Sequence, residues 1–277
     1  MLEKINHKSA PKEVVNALVT LYHQGKFDDV LSRSSQLIEE YPHTFELHNI
    51  LGAITFKKGD TEEALKHFSI LIKLFPKNPQ AYNNLGTTLL DIKEYKKAQK
   101  ALQKAIKLEP AYAEAYNNLG NVYNEIKQYD QAIKEYKKAV ILNPEYYEAY
   151  NNLGIVLGKN EKFEEAEKSL AKAISINPHF PEAFNPQATF LIKSGNFEKA
   201  LVKIKRAIQF KPNFSAAYRN LALIYDEFGN HNLSSEYLRI AKDLDPYLFS
   251  KDPDYILYNS NYSPKMSAEE ISEFYKE

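Results

Sequence analysis

The chain is 277 residues long and carries 36 basic against 36 acidic side chains, a balance that leaves no net field to draw it to nucleic acid or to an anionic membrane. It contains no cysteine, which excludes disulfides, thiolate metal sites and cysteine nucleophiles. Its start, MLEKINHKSA, lacks an apolar signal core and no apolar run reaches the length of a membrane span, so the cytoplasm is the expected location.

The sequence returns to itself every 34 residues. Seven copies fit without an insertion, at 11–44, 45–78, 79–112, 113–146, 147–180, 181–214 and 215–248, with 1–10 as a lead-in and 249–277 as a tail. Such a period means stacked units that touch only their neighbours, so counting domains by length misleads. The fourth copy shows what each must form. Tyr116, Leu119, Gly120 and Tyr123 fall at i, i+3, i+4 and i+7 and share one helix face, while Ala132, Tyr136 and Ala139 line a second helix. Gly120 and Ala132 are small enough for two backbones to approach, and Pro144 cannot continue a helix. The expected fold class is all-α, a solenoid of helix-turn-helix units.

In chain order, the first copy departs most from the pattern, with Ala17-Leu18 in place of Leu-Gly and Val30 and Leu37 in place of two alanines. End units have one face without a neighbour, so this is expected. Copies two to five are regular. Gly25, Gly59, Gly195 and Gly229 mark the turn between the two helices of their copies, whereas copies three to five place Lys93, Lys127 and Glu161 there. Glycine at these turns serves the backbone and forms no phosphate loop. Copy six carries Pro186-Gln187 where copies three to five have Asn-Leu. A proline inside a helix costs about 3 kcal/mol, so the first helix of copy six is expected to start late or run irregularly around Asn185–Gln187, with a local hinge or widened groove as the sharper reading. In the tail, Ser267 and Glu270 form a capping box that predicts a helix over 268–276, with Ile271, Phe274 and Tyr275 on one face.

Leu51-Gly52, Leu85-Gly86, Leu119-Gly120 and Leu153-Gly154, the phased alanines Ala64, Ala98, Ala132, Ala166 and Ala200 with Ala105, Ala139, Ala173, Ala207 and Ala241, and a closing proline in every copy resemble the tetratricopeptide repeat family. The family's usual tryptophan is replaced by Tyr82, Tyr116, Tyr150, Phe184 and Tyr218, expected as core residues. The resemblance implies a right-handed superhelix with a concave groove.

No pattern of catalysis, cofactor or metal binding stands out. The seven histidines show no metal-ligand spacing, the glutamate-rich pieces lie on solvated helix faces, and nothing predicts a closed cleft for paired carboxylates. Asparagine behaves differently. Positions five and six of the seven copies hold Asn16, Asn49, Asn83, Asn84, Asn117, Asn118, Asn151, Asn152, Asn185 and Asn220, ten where chance expects about one, given 23 asparagines in the whole chain. Position six lies about 200° from the aromatic of position four, so it faces away from the core together with positions two, nine and thirteen.

A ladder of Asn16, Asn84, Asn118, Asn152 and Asn220 along that face resembles the one that grips peptide backbone in O-linked N-acetylglucosamine transferases. Asn261-Tyr262-Ser263-Pro264-Lys265-Met266-Ser267-Ala268-Glu269-Glu270-Ile271 likewise resembles the junction after the repeats in SPINDLY-type protein O-glycosyltransferases. The resemblance implies an extended protein or peptide ligand, and a catalytic domain in cis of which no part is present. The candidate peptide-binding residues are these five asparagines with Asn83, Asn117, Asn151 and Asn121, and the acidic Glu114, Glu148 and Glu125 on the same face. The carboxylate clamp of chaperone-binding relatives is not matched, since position two carries mostly glutamate. The expected function is a non-enzymatic polypeptide-binding arm; the alternative is a free-standing scaffold.

Overall fold

The computed structural model describes residues 9–246, in two compact units divided after Pro144. The first holds α1 (Lys12–His23), α2 (Phe27–Glu40), α3 (Phe45–Lys57), α4 (Thr61–Leu74), α5 (Pro79–Asp91), α6 (Tyr95–Leu108), α7 (Ala113–Glu125) and α8 (Tyr129–Leu142). The second holds α9 (Tyr147–Lys159), α10 (Phe163–Ile176), α11 (Pro181–Lys193), α12 (Phe197–Phe210), α13 (Ser215–Glu227) and α14 (His231–Leu244). Within each unit the two helices of a copy pack on one another, and the second helix packs on the first helix of the next copy. The described residues contain no helix long and apolar enough to cross a membrane. The helix expected over 268–276 lies outside the described residues.

Local chemistry explains the boundaries. At the start of α5 the Asn78 side chain accepts from the Gln80 and Ala81 amides at 2.9 and 3.3 Å, and Pro79 occupies the first helical position, where no amide donor is needed. At the end of α7 the Lys127 amide donates to the Asn124 carbonyl and the Gln128 amide to that of Tyr123, at 3.0 and 2.8 Å, the paired closure of a Schellman motif. This closure needs a left-handed residue. Glycine supplies it at Gly25, Gly59, Gly195 and Gly229, while Lys93, Lys127 and Glu161 adopt it with φ of 62°, 60° and 59° despite their side chains. The strain is about 1–2 kcal/mol at each of the three.

The core is built on one exchange of volume between the paired helices. A methyl group on Gly120 would lie 2.6 Å from the Tyr136 ring, and one on Gly86 or Gly154 would lie 2.6 Å from Leu102 or Leu170. The glycine is therefore the space the facing side chain fills. Copy one reverses the sizes at the same two positions, burying Leu18 on the first helix and Ser34 on the second.

Two expectations need correction. The helix α11 runs unbroken through Pro186, from Pro181 to Lys193, with the 13 residues also found in α5 and α7. The proline forfeits only one backbone bond, and burial of Ala183, Phe184, Gln187 and Ala188 holds the remaining turns. Of the position-four aromatics only Phe184 is fully buried. Tyr82, Tyr116, Tyr150 and Tyr218 are half-buried. Tyr82 and Tyr116 pack their rings and reach out with the hydroxyl to donate to the Pro76 and Pro110 carbonyls, each at 3.3 Å.

Candidate peptide-binding site

The asparagines of positions five and six do not stand apart; they bond from copy to copy. In the first unit the Asn118 amide nitrogen donates to Asn83 Oδ1 at 2.9 Å and to Thr87 Oγ1 at 3.2 Å, while the Thr87 hydroxyl donates to the Asn83 carbonyl at 3.0 Å. The same wiring returns in the second unit. There Asn220 donates to Asn185 Oδ1 at 2.9 Å and Thr189 Oγ1 at 3.0 Å, and Thr189 to the Asn185 carbonyl at 3.1 Å. Asn84 makes the shorter version, a single 2.6 Å bond to Asn49 Oδ1. Both N–H groups of Asn118 and Asn220 are thereby committed, so what each can offer a ligand is its amide oxygen.

The burial of the candidates follows from this wiring. Asn83, Asn117 and Asn151 are buried and act from beneath, whereas Asn84, Asn118 and Asn152 are half-buried and Asn16, on α1, is exposed. Asn220 was expected to face outward but is buried, because its amide turns down onto Asn185 and Thr189. Asn121 accepts a 2.7 Å bond from the Tyr136 hydroxyl, whose pKa burial pushes up. Glu114 and Glu125 are exposed with Asp91, and Glu148 is half-buried. Thr87 and Thr189, at position nine, escaped the sequence reading because threonine recurs there in only two copies.

One rung is broken. By the pattern, Asn151 Oδ1 should accept from position six of copy six, but that position is Pro186, and Asn151 Oδ1 is buried without a hydrogen-bond partner. The preceding position nine is correspondingly apolar, Ile155. A buried acceptor left unmade costs about 1–3 kcal/mol.

A titratable pair lies in the first unit. His48 Nε2 is 3.0 Å from the Pro42 carbonyl, which fixes its proton there, and the two Nδ1 atoms of His48 and His67 stand 3.3 Å apart. Burial lowers both pKa values below the ordinary 6.5; His43 lowers that of His48 further, His48 and Lys66 lower that of His67, and the Pro42 carbonyl and Glu63 oppose. Since the folded state binds these protons less readily than the unfolded chain, their contribution to stability is complete above about pH 6.5 and is lost as the pH falls below it. Urea unfolding at about pH 7.5 and about pH 5.5 should therefore show the protein less stable at the lower pH, and His67→Gln should shrink that difference. An unchanged difference would remove the pair as its source. Among the described residues no group of three or more His, Cys, Asp or Glu side chains could hold a metal ion.

Comparison with known proteins places these observations. The family model for the TPR repeat matches residues 52–92, 86–127 and 120–161, and that for the tetratricopeptide repeat matches 147–180. No protein of curated function matches the chain. Among solved structures the chain is similar to pilF of Pseudomonas aeruginosa, at 21% identity and a TM-score of 0.67, covering 78% of this chain and 97% of that one. A tetratricopeptide repeat protein from Parabacteroides merdae is similar over 96% of this chain and 97% of its own, at 16% identity and a TM-score of 0.67. YrrB, described as a TPR protein with an unusual peptide-binding site, is 26% identical over 70% of this chain and 97% of its own, with a TM-score of 0.51. The 34-residue units matched across residues 52–180 are tetratricopeptide repeats, and the chain has the helical-repeat fold they build.

Proposed function

We propose that this chain is a protein–protein interaction module that holds an extended polypeptide along the face carrying positions two, six, nine and thirteen. The observation that carries the reading is the phased asparagine ladder, whose half-buried members Asn84 and Asn118 present amide oxygens at one per copy. An amide oxygen accepts a main-chain N–H and ignores side-chain identity. Three or four such bonds at roughly 0.5–1.5 kcal/mol each, less the cost of ordering the ligand, give weak and sequence-tolerant binding, no tighter than about micromolar. Asp91, Glu114 and Glu125, all exposed, add a preference for basic ligands. YrrB, a repeat protein described by its peptide-binding site, supports the same class of ligand.

The finer reading is a cytoplasmic substrate-recruiting arm of a protein O-glycosyltransferase whose catalytic region acts in cis. Its support is the resemblance of residues 261–271 to the junction of that family. The gene downstream of Glu277 tests it. A reading frame continuing into a nucleotide-sugar-binding region is the expected result, and an immediate stop leaves the free-standing scaffold.

The binding face is tested with Glu114→Lys and Glu125→Lys together, two surface changes expected to leave stability within about 0.5 kcal/mol. Capture of a basic, tryptophan-free peptide by isothermal titration should weaken several-fold. Unchanged capture by the folded double variant would remove this face from the binding site.

A further inference from the structure

The ladder face changes character within the second unit. Its wiring brings position six of one copy to position nine of the copy before it: Asn118 reaches Thr87 and Asn220 reaches Thr189, each pair 31 residues apart. The same offset sets Pro186 beside Ile155, so one step of the face carries neither an amide nor a hydroxyl. Asn151, the acceptor beneath it, is buried and offers nothing to the surface. What this step shows to solvent is hydrocarbon.

Two pairs at this register are apolar, and burial tells them apart. At the first, Val19 with Ile50, the isoleucine is 8% exposed and belongs to the core cluster of Leu18. At the second, Ile155 and Pro186 are both half-buried, and Ile155 is part of neither the cluster around Leu170 and Ala183 nor the one around Phe184. The first pair serves the fold, whereas the second is open to contact from outside.

The charge beside the second pair differs too. Position thirteen, on the same stripe, is Asp91 and Glu125 in copies three and four but Lys159 and Lys193 in copies five and six, all four exposed. Lys159 follows Ile155 by one helical turn and Lys193 follows Pro186 by two, so both cations lie along the face from the apolar step. Glu148 and Glu182, at position two, stand at the other end of the same helices, about 16 Å away, and Glu182 is paired with Lys211 at 2.9 Å. The carboxylate-lined surface of the first unit suits a basic ligand; this one suits an apolar side chain with an acid next to it.

We propose that the Ile155–Pro186 step binds an aliphatic side chain of the held polypeptide, with a carboxylate two residues away in the ligand meeting Lys159 or Lys193. Side chains two apart in an extended chain share a face at about 7 Å, close to the roughly 5–6 Å that separates neighbouring positions nine and thirteen. That a polypeptide lies on this face rests on the function proposed above; the selection of an aliphatic and acidic pair is additional to it.

Short peptides of glycine and serine with Leu-Gly-Asp, Ser-Gly-Asp or Leu-Gly-Lys at the centre test the step by isothermal titration with the full chain. The Leu-Gly-Asp peptide should bind roughly ten-fold more tightly than Ser-Gly-Asp, as burial of one aliphatic side chain predicts, and several-fold more tightly than Leu-Gly-Lys. Ile155→Thr together with Pro186→Asn, which writes the polar step of the other copies here, should remove the preference for leucine over serine. Lys159→Glu together with Lys193→Glu, two exposed changes that serve should the first pair fold poorly by circular dichroism, should reverse the order of the aspartate and lysine peptides. Equal capture of the leucine and serine peptides, equal capture of the aspartate and lysine peptides, or a leucine preference that survives Ile155→Thr with Pro186→Asn would each overturn the proposal. Capture of the basic, tryptophan-free peptide without discrimination among these three would sink this step alone, whereas capture of none of the four would sink the ladder with it.

Discussion

Replacing Pro186 by asparagine should stabilise the protein by about 2–4 kcal/mol. The substitution returns a backbone donor to the interior of α11, where proline costs about 3 kcal/mol, and it supplies the side-chain N–H that Asn151 Oδ1 lacks. Pro186→Ala separates the two effects. Alanine restores the backbone bond alone, and its better helix propensity favours it over asparagine by roughly half a kcal/mol. If asparagine nevertheless equals or exceeds alanine in urea unfolding, the surplus is the mended rung. Should Pro186→Ala be clearly the more stable, the asparagine does not reach its neighbour and the copy-to-copy wiring is not transferable.

The second large effect concerns the exchange of volume between paired helices. Gly120→Leu drives a branched side chain into a ring already 2.6 Å from where its first carbon must go, and should cost about 3 kcal/mol or more. Tyr136→Ser empties the space of a residue 1% exposed and should cost about 3–5 kcal/mol. Together they reproduce the arrangement of Leu18 and Ser34 in copy one, and the double variant should recover about 2–3 kcal/mol of the summed loss. Losses that add to within about 0.5 kcal/mol would mean that the two positions do not share one space.

Much of the fold was legible in the sequence because a strict period reports, residue by residue, which side of a helix is covered. Gly120, Ala132 and the turn positions 93, 127 and 161 were placed correctly on that basis. Angular position is all that a period reports. It places Asn118 on the face away from Tyr116, but not that its amide leans onto Asn83 and Thr87 of the copy before. Nor could it weigh one lost backbone bond at Pro186 against the packing of four buried side chains on the same helix. The tyrosines at position four were read as core for a related reason: hydrophobic pattern counts the ring and overlooks a hydroxyl that needs the Pro76 or Pro110 carbonyl. Gln187 shows the converse. The sequence marks its place as odd, yet only the packed fold shows an acceptor without a donor.

The copy-to-copy amide bond has a direction, since in the links Asn84–Asn49, Asn118–Asn83 and Asn220–Asn185 position six of one copy donates and position five of the copy before it accepts. A directional link can be stopped by a single residue at either end. Position five of copy one is Val15 and position six of copy two is Ile50, so the series cannot begin before Asn49; position five of copy seven is Arg219, which can only donate, so an eighth copy would find no acceptor. Start and stop are thus written into side-chain chemistry independently of how many repeats the chain contains. An array lengthened by duplicating copies three and four would inherit working junctions, because Asn84 would again follow an asparagine at position five, whereas one lengthened after copy seven would not.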